Sequence, residues 1–414
     1  MRRSLFHNIS SLVTVASNHE RRKVGQKMQD LSETRNAYLV VENCLITDLG
    51  GMSGSPPPPG FDEVVDCSGR LVLPGFVDSH THLLYAGDRS DEFEMRAKGM
   101  TYQEIARAGG GIKKSVRQVR EATEKQLIEE TLPRLKEMLS HGTTTVEIKS
   151  GYGLSPESEL KMLRAIRSLK EKTTLEIHPT FLGAHDVPAG VTREIYIREI
   201  CEEMIPQIVK EELAEFCDVF CDEGYFTPEE TRKIAIIAKE HGLKLRIHAN
   251  ELGNSGGAEV AAELNAVSAD HLLFLEKTQI EALKEKNVIC TLLPGTSFFL
   301  KLPYAPARKL IDEGLTVALA TDANPGSCTA LSMNLIQNMA ATQMGVSPAE
   351  ALVASTLHGA AGLCVADRLG SLEIGKQADF IVTRPMNHFR EISYGLGQNP
   401  CWRVYKNGLL VAEN

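Results

Sequence analysis

The sequence predicts an α/β fold: a (β/α)8 barrel of the TIM type, with a small β-sandwich-like satellite domain built from both chain ends. Three observations lead there. Eight short apolar runs alternate with amphipathic helical stretches over a span of about 300 residues, the size of such a barrel. Before and after that span, apolar and polar residues alternate with the period of a strand. The first run ends in His-Thr-His, whereas a doubly wound open sheet usually follows its first strand with a glycine-rich phosphate loop.

Taken in order, Leu5–Val15 and Ala37–Leu49 read as strands, punctuated by Gly50, Gly51 and the surface loop expected at Pro56–Pro59. Arg70–Pro74 leads into the barrel. The eight buried runs are Leu73–Ser79, Thr143–Ile148, Leu175–Gly183, Asp218–Asp222, Lys244–Ala249, Ala266–Asp270, Asn287–Leu293 and Leu315–Thr321. Helix starts lie between them. Thr227-Pro228-Glu229-Glu230 and Ser347-Pro348-Ala349-Glu350 are capping boxes with proline at the first helical position, and Ser155-Pro156 opens another helix. Gly242 closes the helix that Thr227 begins. The tail returns to strands at Ala378–Thr383 and Trp402–Val411, with a turn at Asn407-Gly408. The predicted domains are 73–370 for the barrel, and 1–72 with 371–414 for the satellite.

Composition narrows the function. The 414 residues are 43% hydrophobic and 24% charged, as in ordinary globular proteins. No run of ~18 apolar residues occurs, so no membrane partner is expected. A net charge of -9 argues against nucleic acid as a partner. The nine cysteines are an odd number without a Cys-x-x-Cys pair, which reads as reduced thiols in a cytoplasmic protein.

In a barrel, chemistry sits at the C-terminal ends of the strands. The first run ends at His80-Thr81-His82, where residues two apart face the same side. The fifth ends at His248, the sixth at His271 and the eighth at Asp322. A single strand-end histidine is more often a hydrogen-bonded structural residue. Five such groups at the mouths of predicted barrel strands point instead to a divalent metal, zinc or a similar ion.

The order His-x-His, His, His, Asp on strands one, five, six and eight is similar to that of the amidohydrolase superfamily. Finer likeness lies in VDSHTHLLYAGDR (Val77–Arg89), AGGGI (Ala108–Ile112), TTTVEIKSGYGL (Thr143–Leu154), FLGAH (Phe181–His185), IHANE (Ile247–Glu251), VSADHL (Val267–Leu272) and ATDANPGS (Ala320–Ser327). With LLPGTSFFL and GKQADFIV, these resemble the imidazolonepropionase family over nearly the whole chain.

The resemblance implies hydrolysis of 4-imidazolone-5-propanoate, a small molecule, to N-formimidoyl-L-glutamate in histidine degradation. It implies a homodimer with one zinc or iron per chain. The metal ligands would be His80, His82, His248 and Asp322. Substrate contacts would be Arg89, Tyr152, His185, Glu251, Asn324, Gly326 and Ser327, with Tyr102 a weaker candidate. Asp322, His271 and Glu251 would share the proton transfers. Two-metal relatives carry a carboxylated lysine on the fourth strand; here Val219–Glu223 has none, so one metal is expected. Cys221 and Glu223 read as core and loop residues.

The residues themselves leave other readings open at this stage. Arg89 suits a propionate carboxylate, or else a surface pair with Asp88 or Asp91. His185 is placed to hydrogen-bond a ring carbonyl, and Asn324–Ser327 to offer donors to carboxylates or simply to turn. Asn250 stands where the family commonly has aspartate and would alter the charge near His248. The loop after His185, Asp186–Thr192, is shorter than usual for the family. A nucleobase deaminase would keep the same metal set, and a non-catalytic metal-holding scaffold is the remaining class.

Overall fold

Strands from the two chain ends share one mixed sheet, and the eight between them form a second. The computed structural model describes residues 2–52, 60–100, 104–105 and 109–414. The expected proline loop and Tyr102 lie outside the described residues. On the N-terminal side are β1 (Arg3–Val13), β2 (Glu33–Glu42), β3 (Leu45–Gly51), β4 (Glu63–Asp66) and β5 (Leu71–Pro74). The stretch read as one strand, Ala37–Leu49, is two. Asn43 and Cys44 turn the chain at φ 48° and 79°, and β2 pairs antiparallel with β3. β4 was not anticipated; it pairs parallel with the first half of β1, while β5 pairs parallel with the second half.

The barrel strands are β6 (Phe76–Asp78), β7 (Thr143–Lys149), β8 (Glu176–Ala184), β9 (Phe216–Cys221), β10 (Lys244–Ala249), β11 (Ser268–His271), β12 (Ile289–Leu292) and β13 (Val317–Leu319). Each pairs parallel with the next, in unbroken sequence order from β6 to β13. Just beyond the ends of β6 and β13, a parallel bridge joins Thr81 to Ala323. There Asp322 N donates to His80 O at 3.0 Å, and His82 N donates to Ala323 O at 3.0 Å. Each of the eight predicted runs therefore contributes a strand to one barrel.

The first run is divided between the sheets. Leu73 and Pro74 pair with the satellite, and only Phe76–Asp78 enters the barrel. The crossing point is Gly75, where a Cβ would meet Thr144 Oγ1 at 2.3 Å, so no larger residue fits.

The tail supplies β14 (Phe380–Thr383), β15 (Cys401–Lys406) and β16 (Leu409–Glu413). β14 pairs antiparallel with β5, and β15 and β16 form a hairpin. The hairpin turns at Asn407-Gly408, both at positive φ (53° and 71°), as that dipeptide predicted. This sheet has its own core, with Phe6, Phe380 and Tyr405 in mutual contact at ring separations of 4.7–4.9 Å.

Helices begin where their caps predict. Thr227 accepts from Glu230 N and the Glu230 carboxylate accepts from Thr227 N; Ser347 and Glu350 repeat this arrangement. Each cap contributes about 1 kcal/mol.

Candidate active site

Charged residues fill the barrel interior beneath the strand ends. Glu147, Lys149, Asp218, Arg246 and Asp270 are all fully buried. Lys149 Nζ stands 2.6 Å from Glu147 Oε1 and 2.8 Å from Asp218 Oδ2. Burial alone would lower the Lys149 pKa, but Asp218 and Glu147 outweigh it and raise it. Arg246 Nη2 donates to Asp270 Oδ2 at 3.1 Å and to Ser79 O at 2.8 Å. Sequence reasoning missed this layer. Its signal was present in VEIK, CDVFC, LRIHA and SADH: a charge inside a buried strand must find a partner.

Two of these carboxylates aim histidines. His80 Nδ1 donates to Asp270 Oδ2 at 2.7 Å. Asp218 Oδ2 lies 2.9 Å from His248 Nδ1. The first contact fixes the proton of His80 on Nδ1 and leaves its Nε2 as a lone pair; the Asp218 carboxylate stands beside the His248 ring. The nitrogens of His80, His82 and His248 then cluster within 4.8 Å of one another. His82 Nε2 is 3.3 Å from His248 Nε2. Asp322 Oδ1 joins at 3.6 Å from His80 Nε2 and 3.5 Å from His82 Nε2, while Asp322 Oδ2 accepts from Thr296 Oγ1 at 2.5 Å.

This donor set fits a divalent cation. His80 Nε2 is buried and has no hydrogen-bond partner among the described residues, although its other nitrogen is committed to Asp270. Burial, with cationic and histidine neighbours, holds the His80 and His82 pKa values well below the ordinary 6.5, so both present neutral rings.

The cage opens into a cavity of about 1050 Å³. His82, His248, His271 and Asp322 line its floor. Arg89, Tyr152, His185, Glu251, Asn324, Gly326 and Ser327 line its walls. The structure thus gathers every nominated site residue among the described ones, with His80 just beneath the floor. Arg96, unnoticed in the sequence, also lines it; Arg96 Nη2 donates to Gly326 O at 2.7 Å, and its guanidinium lies 4.9 Å from the Phe299 ring centroid.

Several expectations change in detail. Arg89 pairs with neither Asp88 nor Asp91. Its Nε and Nη2 both donate to Glu92 Oε2, at 2.9 and 2.7 Å, in a buried pair one helical turn away. A Cβ on Gly326 would displace the Arg89 guanidinium, so the glycine leaves it room.

Asn324 uses its side chain on its own loop. Nδ2 donates to Asp322 O and Ser327 Oγ, both at 2.7 Å, and Oδ1 accepts from Gly326 N and Ser327 N. The Asn324 amide and the Gly326 and Ser327 N–H groups are therefore committed, and Asn324 shapes the loop. The Asn250 side chain turns away from His248: Nδ2 donates to Phe274 O at 2.7 Å and Oδ1 accepts from Ala258 N. Its φ of 53° is one asparagine tolerates.

His185 has one ring nitrogen committed to the backbone. Its Nδ1 is 3.0 Å from Gly151 O, which can only accept, so Nδ1 carries the proton. Burial and the neighbouring His248 push its pKa down to about 3. The ring is neutral and Nε2 can only accept, which suits a substrate N–H rather than a carbonyl.

The proton-transfer candidates stand around the cage. His271 and Asp322 adopt positive φ (77° and 53°), backbone strain of the kind found at active sites. His271 Nε2 is 3.6 Å from Glu251 Oε2. Burial, then Asp322 and Asp222, raise the Glu251 pKa well above the usual carboxylate range. Burial lifts Asp322 to about 6. Asp222, another residue missed in the sequence, holds the Glu251 segment by accepting from Glu251 N at 2.6 Å and Leu252 N at 2.8 Å. Cys221 is buried, its thiol pushed up to about 11 by burial, as befits a core residue.

Known proteins resemble this chain over its full length. The amidohydrolase family profile matches residues 71–400. An imidazolonepropionase of Christiangramia forsetii is 41% identical over 409 residues, covering 98% of this chain and 99% of its own. One from a Geobacillus species is 45% identical over 422 residues, covering 100% and 99%. Among solved structures, E. coli guanine deaminase superposes with a TM-score of 0.76 at 16% identity, covering 100% of both chains. A triazine hydrolase variant gives 0.77 at 17% identity, covering 100% of this chain and 95% of that one. These structural likenesses reflect the shared fold. Sequence identity over the full length is more specific: the chain belongs to the imidazolonepropionase family of the amidohydrolases.

Proposed function

We propose that this enzyme hydrolyses the ring C–N amide bond of 4-imidazolone-5-propanoate to N-formimidoyl-L-glutamate, the third step of L-histidine degradation, with water as the nucleophile. The observation that carries this reading is that Arg89, a partner for the propionate carboxylate, and the three-histidine cage open into one cavity.

His80, His82, His248 and Asp322 would hold one divalent ion, zinc or iron, since three imidazoles and a carboxylate suit either. The chemistry such an ion supplies when bound is Lewis acidity, which brings the pKa of water toward ~7 and polarises a carbonyl. Support for a single ion comes from Lys149. Its ammonium is tied to Glu147 and Asp218 and is not the free amine a carbamate requires; β9 ends in Phe220-Cys221 without a lysine.

Arg89, oriented by Glu92, receives the propionate. His185 Nε2 accepts from a ring N–H, and Tyr152 packs beside it at 5.5 Å between ring centroids. Asp322 takes the proton of the attacking water. His271 orients the nucleophile and steadies the developing oxyanion. Glu251 delivers a proton to the leaving ring nitrogen. The Ser327 hydroxyl completes the wall, with Asn324 and Gly326 shaping its loop.

A nucleobase deaminase shares the cage chemistry but has no carboxylate for Arg89. We further place the enzyme in the cytoplasm as a homodimer. All nine cysteines are unpaired, and no described helix is long and apolar enough to cross a membrane. The test is to offer the metal-loaded enzyme imidazolonepropionate, guanine and cytosine in parallel. Turnover of the first alone is expected; deamination of guanine or cytosine without imidazolone hydrolysis overturns the reading.

A further inference from the structure

We infer that Glu159 and Arg120 form a two-sided clamp on the Gly151–Leu154 turn, and that this clamp positions Tyr152 and sets the ring orientation and tautomer of His185. The turn follows β7 with Gly151 at φ 110° and Leu154 at φ 48°, a shape that needs outside support. Glu159 lies early in the helix Pro156–Lys170 and is fully buried. Its Oε2 accepts from Gly151 N at 3.0 Å; its Oε1 accepts from Gly153 N at 2.7 Å and Leu154 N at 2.8 Å. The Ser150 hydroxyl also hydrogen-bonds it.

Arg120 grips the carbonyls of the same turn. Nε donates to Gly153 O and Nη2 to Leu154 O, both at 2.7 Å. One side chain takes N–H groups and the other takes C=O groups, so the turn has one hydrogen-bonded conformation. The Gly151 carbonyl, left outside the clamp, faces His185 Nδ1 at 3.0 Å. Any shift of the turn moves that acceptor and frees the His185 ring to flip. Room is equally tight: a Cβ on Gly153 would meet Glu159 N at 2.5 Å.

A buried carboxylate is costly unless its lone pairs are filled. Glu159 fills them with the N–H groups of this turn. It touches neither substrate nor cage and is a positioning residue, as is Arg120.

The kinetic arm of the test rests on the proposed substrate; the spectroscopic arm does not. Glu159→Gln places an amide N–H against a backbone N–H. Glu159→Gln, exposed Arg120→Met and wild type are compared by metal content, thermal melting, kcat and KM, and 15N NMR of histidine-labelled protein. Both folded variants are expected to keep wild-type metal content. Glu159→Gln should lose the single Nδ1–H signature of His185, with kcat/KM falling about 10- to 100-fold; Arg120→Met should lose about tenfold. A folded Glu159→Gln with the wild-type tautomer and kcat/KM overturns the inference. If Glu159→Gln does not fold, Arg120→Met decides: unchanged kcat/KM and tautomer overturn it. Wild-type protein that shows the Nδ1–H tautomer but leaves imidazolonepropionate untouched refutes the substrate, not the clamp.

Discussion

His80 and Asp322 lie 242 positions apart in number, yet they meet twice: Asp322 N donates to His80 O at 3.0 Å, and Asp322 Oδ1 stands 3.6 Å from His80 Nε2. The first contact closes the barrel between its first and last strands. The second belongs to the cage. The same two residues therefore serve both barrel closure and the cage. Asp78 reinforces it by accepting from Thr321 N at 3.0 Å and Thr321 Oγ1 at 2.6 Å.

Metal should consequently stabilise the fold as well as the reaction. Removing it with a chelator is expected to abolish activity and lower the melting temperature. At a free metal concentration of 1,000 Kd the stabilisation is about 4 kcal/mol. His82→Ala should purify without metal and show no melting shift when metal is added. Full metal occupancy in that variant would remove His82 from the ligand set.

Asp218 holds both His248 and Lys149, at 2.9 and 2.8 Å. Asp218→Asn should weaken metal binding ~10–100-fold, the usual worth of a carboxylate behind a ligating histidine. Competition against a calibrated chelator measures this. An unchanged metal affinity would mean that His248 is aimed by packing alone.

Arg89→Met should retain metal while kcat/KM drops ~30- to 1000-fold, equivalent to ~2–4 kcal/mol for a lost charge-assisted pair. Glu92 would be left buried without its cation, so Arg89→Met/Glu92→Gln is measured beside it. The double variant should recover stability but not kcat/KM. Recovery of both would make the pair structural.

His271→Asn should keep about one metal per chain and lose turnover ~10²–10⁴-fold, with KM changing less than kcat. Its ring nitrogen faces Glu251 at 3.6 Å rather than joining the cluster of His80, His82 and His248. Elemental analysis decides the matter: metal-free protein would make His271 a ligand.

His178 lies at the entrances of β8 and β9, away from the cavity, with Nε2 3.1 Å from Glu176 and Nδ1 2.9 Å from Glu215. Burial alone would lower its pKa, but the two carboxylates outweigh burial and raise it above 6.5. Glu176 is also bound by Arg368 and Lys406, and Lys170 stands 3.6 Å from Glu215. A raised folded pKa stabilises fully below the unfolded value and loses its effect as pH rises through the folded one. Melting temperature should therefore fall from pH 6 to 9 more steeply in wild type than in His178→Gln. Below pH 6.5 the wild type should be the more stable of the two. Parallel curves would show that His178 stays neutral.

By itself the sequence determined the barrel, the satellite built from both ends, and the histidines and aspartate at the strand mouths. These are local properties: apolar runs of strand length, capping boxes such as Thr227 to Glu230, the Asn407-Gly408 turn, and residue types at strand ends. Tertiary structure decided what each polar group faces. Asp270 meets His80 across 190 positions, and Asp218 meets Lys149 from the strand two places along the sheet. Even the nearby Arg89–Glu92 pair required the helix Ser90–Ala97 to exist before its preference over Asp88 and Asp91 was decided. The commitment of Asn324 to its own loop and the acceptor nitrogen of His185 likewise follow from backbone groups whose directions appear only after the strands close. A buried hydrogen bond is directional and requires a partner within about 3 Å; residue type and spacing specify the donor, whereas the closed barrel specifies its acceptor.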